Sequence, residues 1–133
     1  MAISKVGFVG VGNMGNPMAA HLVKAGFDVL VHDINPEASA KFVEQHGGRA
    51  AVLLEEIGRH GEVVITMLPT SQIVREAIIG HRGVASTLAQ SAIVMDMSTS
   101  DPVTTQALAA ALQPRGIAVV DAPVMGGVVF AKD

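Results

Sequence analysis

Short apolar runs alternate with longer segments of helical periodicity along the whole chain. Runs at residues 6–9, 27–32, 63–68, 93–97 and 117–121 are rich in valine and isoleucine and predict strands. Between them, apolar residues recur every three or four positions, which is typical of helices that bury one face. Apolar strands that alternate with helices predict a parallel sheet covered on both faces. The pattern therefore indicates an α/β fold with a doubly wound parallel sheet.

Helices are expected at five places, together with a further small strand at 49–51. The predicted helices cover residues 14–24, 35–45, 53–59, 71–79 and 101–112. Asn35 and Asp101 each precede a proline, which is the usual arrangement of an N-cap and a first helical residue. Ser71 is expected to cap the fourth helix, because its hydroxyl can accept a hydrogen bond from a helix amide.

The composition supports one domain over residues 1–133 and argues against several classes of partner. Half of the 133 residues are hydrophobic, which suffices for one sizeable core, and no linker or repeat interrupts the alternation. A net charge of -3, with four Phe and no Tyr or Trp, offers neither a basic patch nor a stacking platform, so no nucleic-acid partner is expected. The apolar runs are too short to cross a bilayer, so no membrane is expected either.

Cysteine and histidine usage bears on location and metal chemistry. The chain has no cysteine, which excludes disulfides and thiolate metal sites and favours a cytoplasmic location. Its five histidines show no H-x-x-x-H spacing, so the sequence predicts no metal site.

A glycine motif follows the first predicted strand. Gly10, Gly12 and Gly15 form G-x-G-x-x-G, in which the first glycine makes a tight turn, the second admits a pyrophosphate and the third lets the helix approach the strand. A nucleotide-hydrolysing P-loop would need Lys and Ser or Thr after its last glycine, whereas Asn16 and Pro17 stand here. The motif therefore predicts a site for a dinucleotide cofactor at the start of a helix.

An acidic residue completes this fingerprint. Asp33 ends the second predicted strand, 23 residues after Gly10, where the fingerprint expects an acid about 20 residues on. Its carboxylate can accept hydrogen bonds from both hydroxyls of the adenosine ribose, and it would repel a 2′-phosphate by up to about 4 kcal/mol at short range. The predicted cofactor is therefore NAD rather than NADP.

Four segments of the chain resemble a known family. "VGFVGVGNMGNPMA", "VVITMLP", "VMDMSTSDP" and "VVDAPVMGG" are similar, in this order, to the signature segments of the β-hydroxyacid dehydrogenases, which include 3-hydroxyisobutyrate dehydrogenase and tartronate semialdehyde reductase. The resemblance covers essentially all 133 residues. It implies a Rossmann domain that serves a hydride transfer between NAD(H) and a small 3-hydroxy acid or its semialdehyde.

The resemblance also implies roles for individual residues around the cofactor. Asn13 and Met14 fall in the phosphate loop of the family, and Leu68 and Pro69 would line the nicotinamide side. Thr99 matches the Ser or Thr that contacts the cofactor. These positions follow the carboxyl ends of predicted strands, which is the edge where open α/β sheets bind their ligands.

The last segment resembles the substrate loop "DAPVSGG" of the family. Gly126 and Gly127 match the two glycines whose backbone amides would hold the substrate carboxylate. Met125 stands where the family has serine, so one hydroxyl donor is missing, which is worth roughly 1.5–3 kcal/mol for a bond to a charged group. Either the substrate therefore differs or the backbone amides suffice to hold it, and Met125 itself is equally explained as a packing residue.

The family continues into a long helix and an all-helical C-terminal domain, and that long helix carries the catalytic lysine. Lys132 comes too early and lacks the glycine-rich flanks of that lysine. We therefore expect residues 1–133 to be a chain truncated before the helical domain, which binds the cofactor but barely catalyses. Since family oligomers rest largely on the helical domain, homo-oligomers are expected only of a full-length protein.

Two other functions fit part of the pattern. A non-catalytic NAD-binding module, whose output is a change in a partner, would need neither the lysine nor the substrate loop. An S-adenosylmethionine methyltransferase would share a glycine loop and a ribose-binding acid, but the later segments do not support it.

Overall fold

The computed structural model describes residues 3–98 and 101–122, in which strands and helices alternate. The strands are β1 (Lys5–Val9), β2 (Asp28–His32), β3 (Arg49–Ala50), β4 (Val63–Thr66), β5 (Ile93–Asp96) and β6 (Ala118–Asp121). The helices are α1 (Gly15–Lys24), α2 (Pro36–His46), α3 (Leu54–His60), α4 (Ser71–Ile79) and α5 (Pro102–Leu112). These elements confirm the predicted α/β class, and most of their ends lie within two residues of the predicted ones.

The six strands form one parallel sheet in the order β3-β2-β1-β4-β5-β6. The order reverses between β1 and β4, because β2 and β3 lie on one side of β1 and the later strands lie on the other. At such a reversal the connections leave in opposite directions and open a crevice at the carboxyl ends of the strands. The doubly wound arrangement therefore places the crevice directly above the glycine motif.

Each face of the sheet has its own core, because successive residues of a strand point to opposite faces. On the face that α1 and α2 cover, Phe8 and Val31 pack against Phe42, and all three are fully buried. On the face that α3, α4 and α5 cover, Ile57 and Ile78 pack around Val64. Burial on both faces explains why the central strands β1, β2 and β4 are largely apolar rather than alternating, whereas the edge strands β3 and β6 are mostly exposed.

The helix starts at the carboxyl edge differ from the sequence prediction in one place. Asn35 and Asp101 cap α2 and α5 as predicted, by accepting hydrogen bonds from the amides of the second or third helical residue. The predicted cap Ser71 is wrong: Thr70 caps α4, its Oγ1 accepting from the amide of Ile73 at 3.1 Å. The Ser71 hydroxyl instead accepts from the Asp101 amide at 2.8 Å, which joins the starts of α4 and α5.

β4 is shorter than the apolar run that predicted it. The run continues to residue 68, but pairing with β5 stops at Thr66. The backbone leaves the sheet there because the next residues, through Pro69, border the crevice instead of a neighbouring strand. Two short 3₁₀ turns, Val84–Ser86 and Gln113–Arg115, are the elements that no sequence pattern predicted.

Candidate functional site

A cleft of about 650 Å³ opens in the crevice at the carboxyl ends of β1, β2 and β4. Its walls are the loop after β1, the end of β2, the loop after β4 and the facing sides of α3 and α4. Eight of the predicted cofactor residues line it together: Gly10, Gly12, Asn13, Met14, Gly15, Asp33, Leu68 and Pro69. The structure therefore gathers residues from three separate stretches of sequence into one cavity.

The remaining predicted site residues lie outside the described part of the chain. They are Thr99, for which a cofactor contact is predicted, and Met125, Gly126 and Gly127, for which a substrate contact is predicted. Their roles stay predictions from the family resemblance.

Two of the three motif glycines are required by the protein's own packing. Gly10 has φ +99°, a left-handed backbone that side chains disfavour, and a Cβ there would overlap the carbonyl oxygen of Met67. A Cβ at Gly15 would overlap the carbonyl oxygen of Gly10, so α1 could not start so close to β1. These two glycines explain the tight turn and the close approach of helix to strand.

Gly12 is different, because nothing in the described protein needs it to be glycine. A Cβ built there meets no atom within 4 Å, and its φ is not in the left-handed range. Gly12 nevertheless lines the cleft. The free space beside its Cα therefore fits a molecule that lies in the cleft against the backbone, as a pyrophosphate does in this motif.

The first turn of α1 suits an anion. The residue before the helix, Met14, makes no side-chain capping bond, and the first turn has no acidic residue. Helix-start amides have no partner within the helix, and the helix dipole adds about half a positive charge there. Since Met14 and Gly15 both line the cleft, this positive end faces the space beside Gly12.

Asp33 borders the cleft on the β2 side and also holds the glycine loop in place. Its Oδ2 accepts from the Val11 amide at 3.0 Å, and its Oδ1 accepts from the Asn35 amide at 2.9 Å. A carboxylate has about four acceptor positions, so both oxygens can accept further bonds from a ligand. The bond to Val11 was not predicted, because the fingerprint describes Asp33 only as a partner of the ribose.

His32 precedes Asp33 and lines the same wall. Burial holds the pKa of His32 below its ordinary value, although Asp33, the Val52 backbone and Glu56 act in the opposite direction. The imidazole is therefore neutral at physiological pH. It adds no positive charge beside Asp33 that could attract a phosphate.

A buried polar cluster lies on the other side of the glycine loop, at the ends of β4 and β5. It consists of Thr66, Asp96 and Ser98, which are 0%, 1% and 0% exposed. The Thr66 hydroxyl donates to Asp96 Oδ1 at 2.9 Å, and the Ser98 amide donates to the same oxygen at 3.0 Å. Sequence reasoning missed this cluster, although an acid inside the apolar run "IVMDM" could have signalled a buried hydrogen-bonded group.

Apart from Glu76 of α4, the rest of the cleft wall is apolar. Ile34 is 96% exposed, although it is a large hydrophobic residue, and it stands directly beside Asp33. Further apolar side chains come from the loop after β4 and from α3 and α4: Leu54, Met67, Leu68, Ile73 and Ala77. An apolar slot next to a carboxylate can hold a flat ring whose sugar is hydrogen-bonded.

Two other kinds of feature are absent from the part of the chain that the structure describes. No three His, Asp or Glu side chains within residues 3–98 and 101–122 are grouped so as to hold a metal ion. Within the same ranges, no helix has the length and hydropathy needed to span a bilayer.

A doubly wound parallel sheet, a glycine loop opening a helix, and an acid at the end of the second strand together define a dinucleotide-binding Rossmann domain. The chain belongs to the family described as the NAD binding domain of 6-phosphogluconate dehydrogenase, whose model matches residues 5–133.

Similar proteins of known name are hydroxyacid dehydrogenases or related reductases. The mitochondrial 3-hydroxyisobutyrate dehydrogenase of Bos taurus is 38% identical over 127 residues, which are 96% of this chain and 38% of that protein. The 3-sulfolactaldehyde reductase of Escherichia coli (strain K12) is 37% identical over 122 residues, which are 92% of this chain and 41% of that protein. These relatives confirm the predicted resemblance.

Solved structures with the same fold include 3-hydroxyisobutyrate dehydrogenase of Mycobacterium tuberculosis with L-serine. It has a TM-score of 0.89 and 34% identity, over 98% of this chain and 44% of that one. Psf3 in complex with NADP+ and 2-OPP has a TM-score of 0.87 and 30% identity, over 96% of this chain and 45% of that one. The chain thus spans about two fifths of the length of the relatives that it matches.

Proposed function

We propose that this chain is the cofactor-binding unit of a dehydrogenase that transfers a hydride between NAD(H) and a small 3-hydroxy acid or its semialdehyde. The observation that carries the proposal is Gly12, which lines the cleft although no contact within the described residues requires a glycine there. The two relatives named above are a dehydrogenase and a reductase, which favours this function over a non-catalytic NAD-binding module.

The cofactor would lie across the crevice, with its two halves on opposite sides of the glycine loop. The diphosphate would rest against Gly12 and the amides at the start of α1, where Asn13 and Met14 line the cleft. The adenosine ribose would bond to Asp33, with the adenine ring beside Ile34. Leu68 and Pro69 would border the nicotinamide half, and Thr99 would contact it.

We assign NAD rather than NADP as the cofactor because of the charge beside the ribose. A 2′-phosphate would approach the Asp33 carboxylate, and the neutral His32 offers no compensating charge. Two like charges at 4 Å repel by about 4 kcal/mol at an effective dielectric constant near 20, and less with solvent access. Because the similar structure of Psf3 holds NADP+, the preference for NAD has to be tested by experiment.

The substrate is proposed to be a small hydroxy acid, since the matched relatives are named for 3-hydroxyisobutyrate and 3-sulfolactaldehyde. Gly126 and Gly127 would hold its acid group through backbone amides, and Met125 would replace a hydroxyl donor by an apolar contact. When bound, the nicotinamide ring supplies the hydride acceptor or donor. The residues of this chain bind and orient the cofactor, and we assign no catalytic residue among them.

Three further expectations belong to the same proposal. Residues 1–133 form one cofactor-binding domain, which alone transfers hydride at most very slowly, because the family's catalytic lysine has no counterpart in them. Oligomer formation is expected of a longer protein that includes the helical domain. The cytoplasmic location rests on the lack of cysteines alone.

Calorimetric titration of the 133-residue chain with NAD+ and, separately, with NADP+ tests the proposal. We expect saturable binding of NAD+ with a ratio of one per chain, and binding of NADP+ at least about tenfold weaker, a difference of ~1.4 kcal/mol. Following NADH absorbance with 3-hydroxyisobutyrate should detect no turnover above the buffer rate. Tighter binding of NADP+ would contradict the cofactor assignment, and no saturable binding of either would contradict the proposed function.

A further inference from the structure

We infer that Ser98 is a positioning residue that fixes the Leu68–Pro69 wall of the cofactor cleft, and that Asp96 holds Ser98 in place for this task. The inference rests on the proposed function, because it concerns the same cleft. Both residues lie in the segment "VMDMSTSDP", in which the family resemblance gives a role only to Thr99.

The direct link is a hydrogen bond from the backbone of Leu68 to the side chain of Ser98. The Leu68 amide donates to Ser98 Oγ at 2.8 Å, and Ser98 Oγ lies 3.4 Å from the Thr66 carbonyl oxygen, to which it can donate. Leu68 has left the strand, so no neighbouring strand residue takes up its amide. The Met67 amide still bonds the Val9 carbonyl at 2.9 Å, so the Ser98 hydroxyl takes over the support of the backbone at Leu68, where it borders the cleft.

Asp96 fixes the position of that hydroxyl. Its Oδ1 accepts from the Ser98 amide at 3.0 Å and from the Thr66 hydroxyl at 2.9 Å. Asp96 therefore bonds both Thr66, the last residue of β4, and Ser98, which supports the wall. Asp96 is 1% exposed, and a buried carboxylate costs free energy unless such bonds satisfy it. A buried acid at this position is therefore better explained by its role in fixing the positions of Ser98 and Thr66 than by simple packing.

The wall in turn touches the glycine loop. Gly10 lies so close to the Met67 carbonyl that no Cβ fits between them, and the Leu68 side chain would lie 3.0 Å from that Cβ. A shift of the Leu68 backbone would therefore displace both the wall and the loop. Because Ser98 acts on the β4 side and Asp33 on the β2 side, we expect Ser98 to affect the nicotinamide half of the cofactor more than the adenosine half.

Ser98→Ala in the 133-residue chain tests this through two ligands. We expect the dissociation constant for NAD+ to rise about fivefold, which is typical of one lost hydrogen bond, and that for ADP to change less than about twofold. Ser86→Ala is the matched control, because the Ser86 hydroxyl bonds the Gly83 carbonyl at 2.7 Å and does not line the cleft. It should leave both constants unchanged.

A second measurement has one arm that uses only the unaltered chain and so does not depend on the folding of the variant. Hydrogen exchange of the Leu68 amide in the unaltered chain should be slow, and in Ser98→Ala it should accelerate at least about tenfold if the bond is lost. Fast exchange in the unaltered chain, unchanged NAD+ affinity in Ser98→Ala, or an equal loss of ADP and NAD+ affinity would overturn the inference. Failure of the unaltered chain to bind either ligand would instead overturn the proposed function.

Discussion

The two sides of the glycine loop are held by different means. On the β2 side, the half-buried Asp33 bonds the Val11 amide directly and also borders the cleft. On the β4 side, the completely buried Ser98 and Asp96 act through the backbone of Leu68 and do not line the cleft. On the β2 side, one residue thus gives support and also borders the cleft, where we propose that it binds the ribose, whereas the β4 side provides support alone.

This difference separates the expected effects of substitutions. Water can reach the amides around Asp33 if its carboxylate is removed, so the loss of its bonds is partly compensated. Ser98 and Thr66 are 0% exposed, so the loss of Asp96 leaves two buried donors without their acceptor. Asp96 should therefore matter more for stability, and Asp33 more for cofactor selectivity.

The largest expected effect is on the stability of the β4 side. Asp96→Ala should lower the free energy of unfolding by about 2–4 kcal/mol, because two buried donors lose their acceptor, whereas Asp33→Ala should lower it by less than about 1.5 kcal/mol. Urea unfolding followed by far-ultraviolet circular dichroism measures both. Asp96→Asn is the control, since its amide oxygen can still accept, and it should cost less than Asp96→Ala. An equal cost for Asp33→Ala and Asp96→Ala would remove the distinction between the two sides.

The next effect is on selectivity at the β2 side. Asp33→Ala should raise the affinity for NADP+ relative to NAD+ by about tenfold, because the charge that repels a 2′-phosphate is gone and the ribose loses its acceptor. Titration calorimetry with both cofactors gives the ratio of the two dissociation constants. A general loosening of the loop weakens the binding of both cofactors and so leaves this ratio unchanged. Glu37→Ala, which removes another acid just beyond the cleft, should leave the ratio unchanged. The same ratio in Asp33→Ala as in the unaltered chain would show that Asp33 supports the loop without recognising the ribose.

The smallest effect concerns the pH dependence of stability at His32. Because burial lowers the pKa of His32 in the folded chain, the unfolded chain binds more protons once the pH falls to about 6.5, so stability decreases as the pH falls through that region. His32→Gln should reduce the slope of unfolding free energy against pH between about pH 7.5 and 5.5. Urea unfolding at a series of pH values measures this slope for both chains. If His32→Gln left the slope unchanged, the His32 imidazole of the folded, unaltered chain would have the same pKa as in the unfolded chain.

The ligand-facing side of the site was predictable from the sequence, and the supporting side was not. Gly10, Gly12, Gly15 and Asp33 stand at positions that a known fingerprint specifies, and strand and helix periodicity located the elements that carry them. Ser98 acts through a bond to residue 68, and no local pattern reveals a contact between residues 30 positions apart. A buried contact of that kind is visible only once the strands are ordered in the sheet.

The helix caps show the same limit. Thr70 and Ser71 are adjacent and both can cap a helix, so the sequence alone does not decide between them. The choice follows from the tertiary contact of Ser71 with Asp101, which engages the Ser71 hydroxyl elsewhere. Local propensity thus located α4 correctly, and a long-range hydrogen bond decided its first residue.

The central claim is that a diphosphate rests against the backbone at Gly12, and Gly12→Ala tests it most directly. A Cβ there meets no protein atom, so the free energy of unfolding should stay the same or rise by about 0.4–1 kcal/mol. The dissociation constant for NAD+ should rise at least about tenfold, ~1.4 kcal/mol, because the methyl group occupies the space of the diphosphate. Calorimetric titration that gave the same NAD+ affinity in Gly12→Ala as in the unaltered chain would contradict the claim.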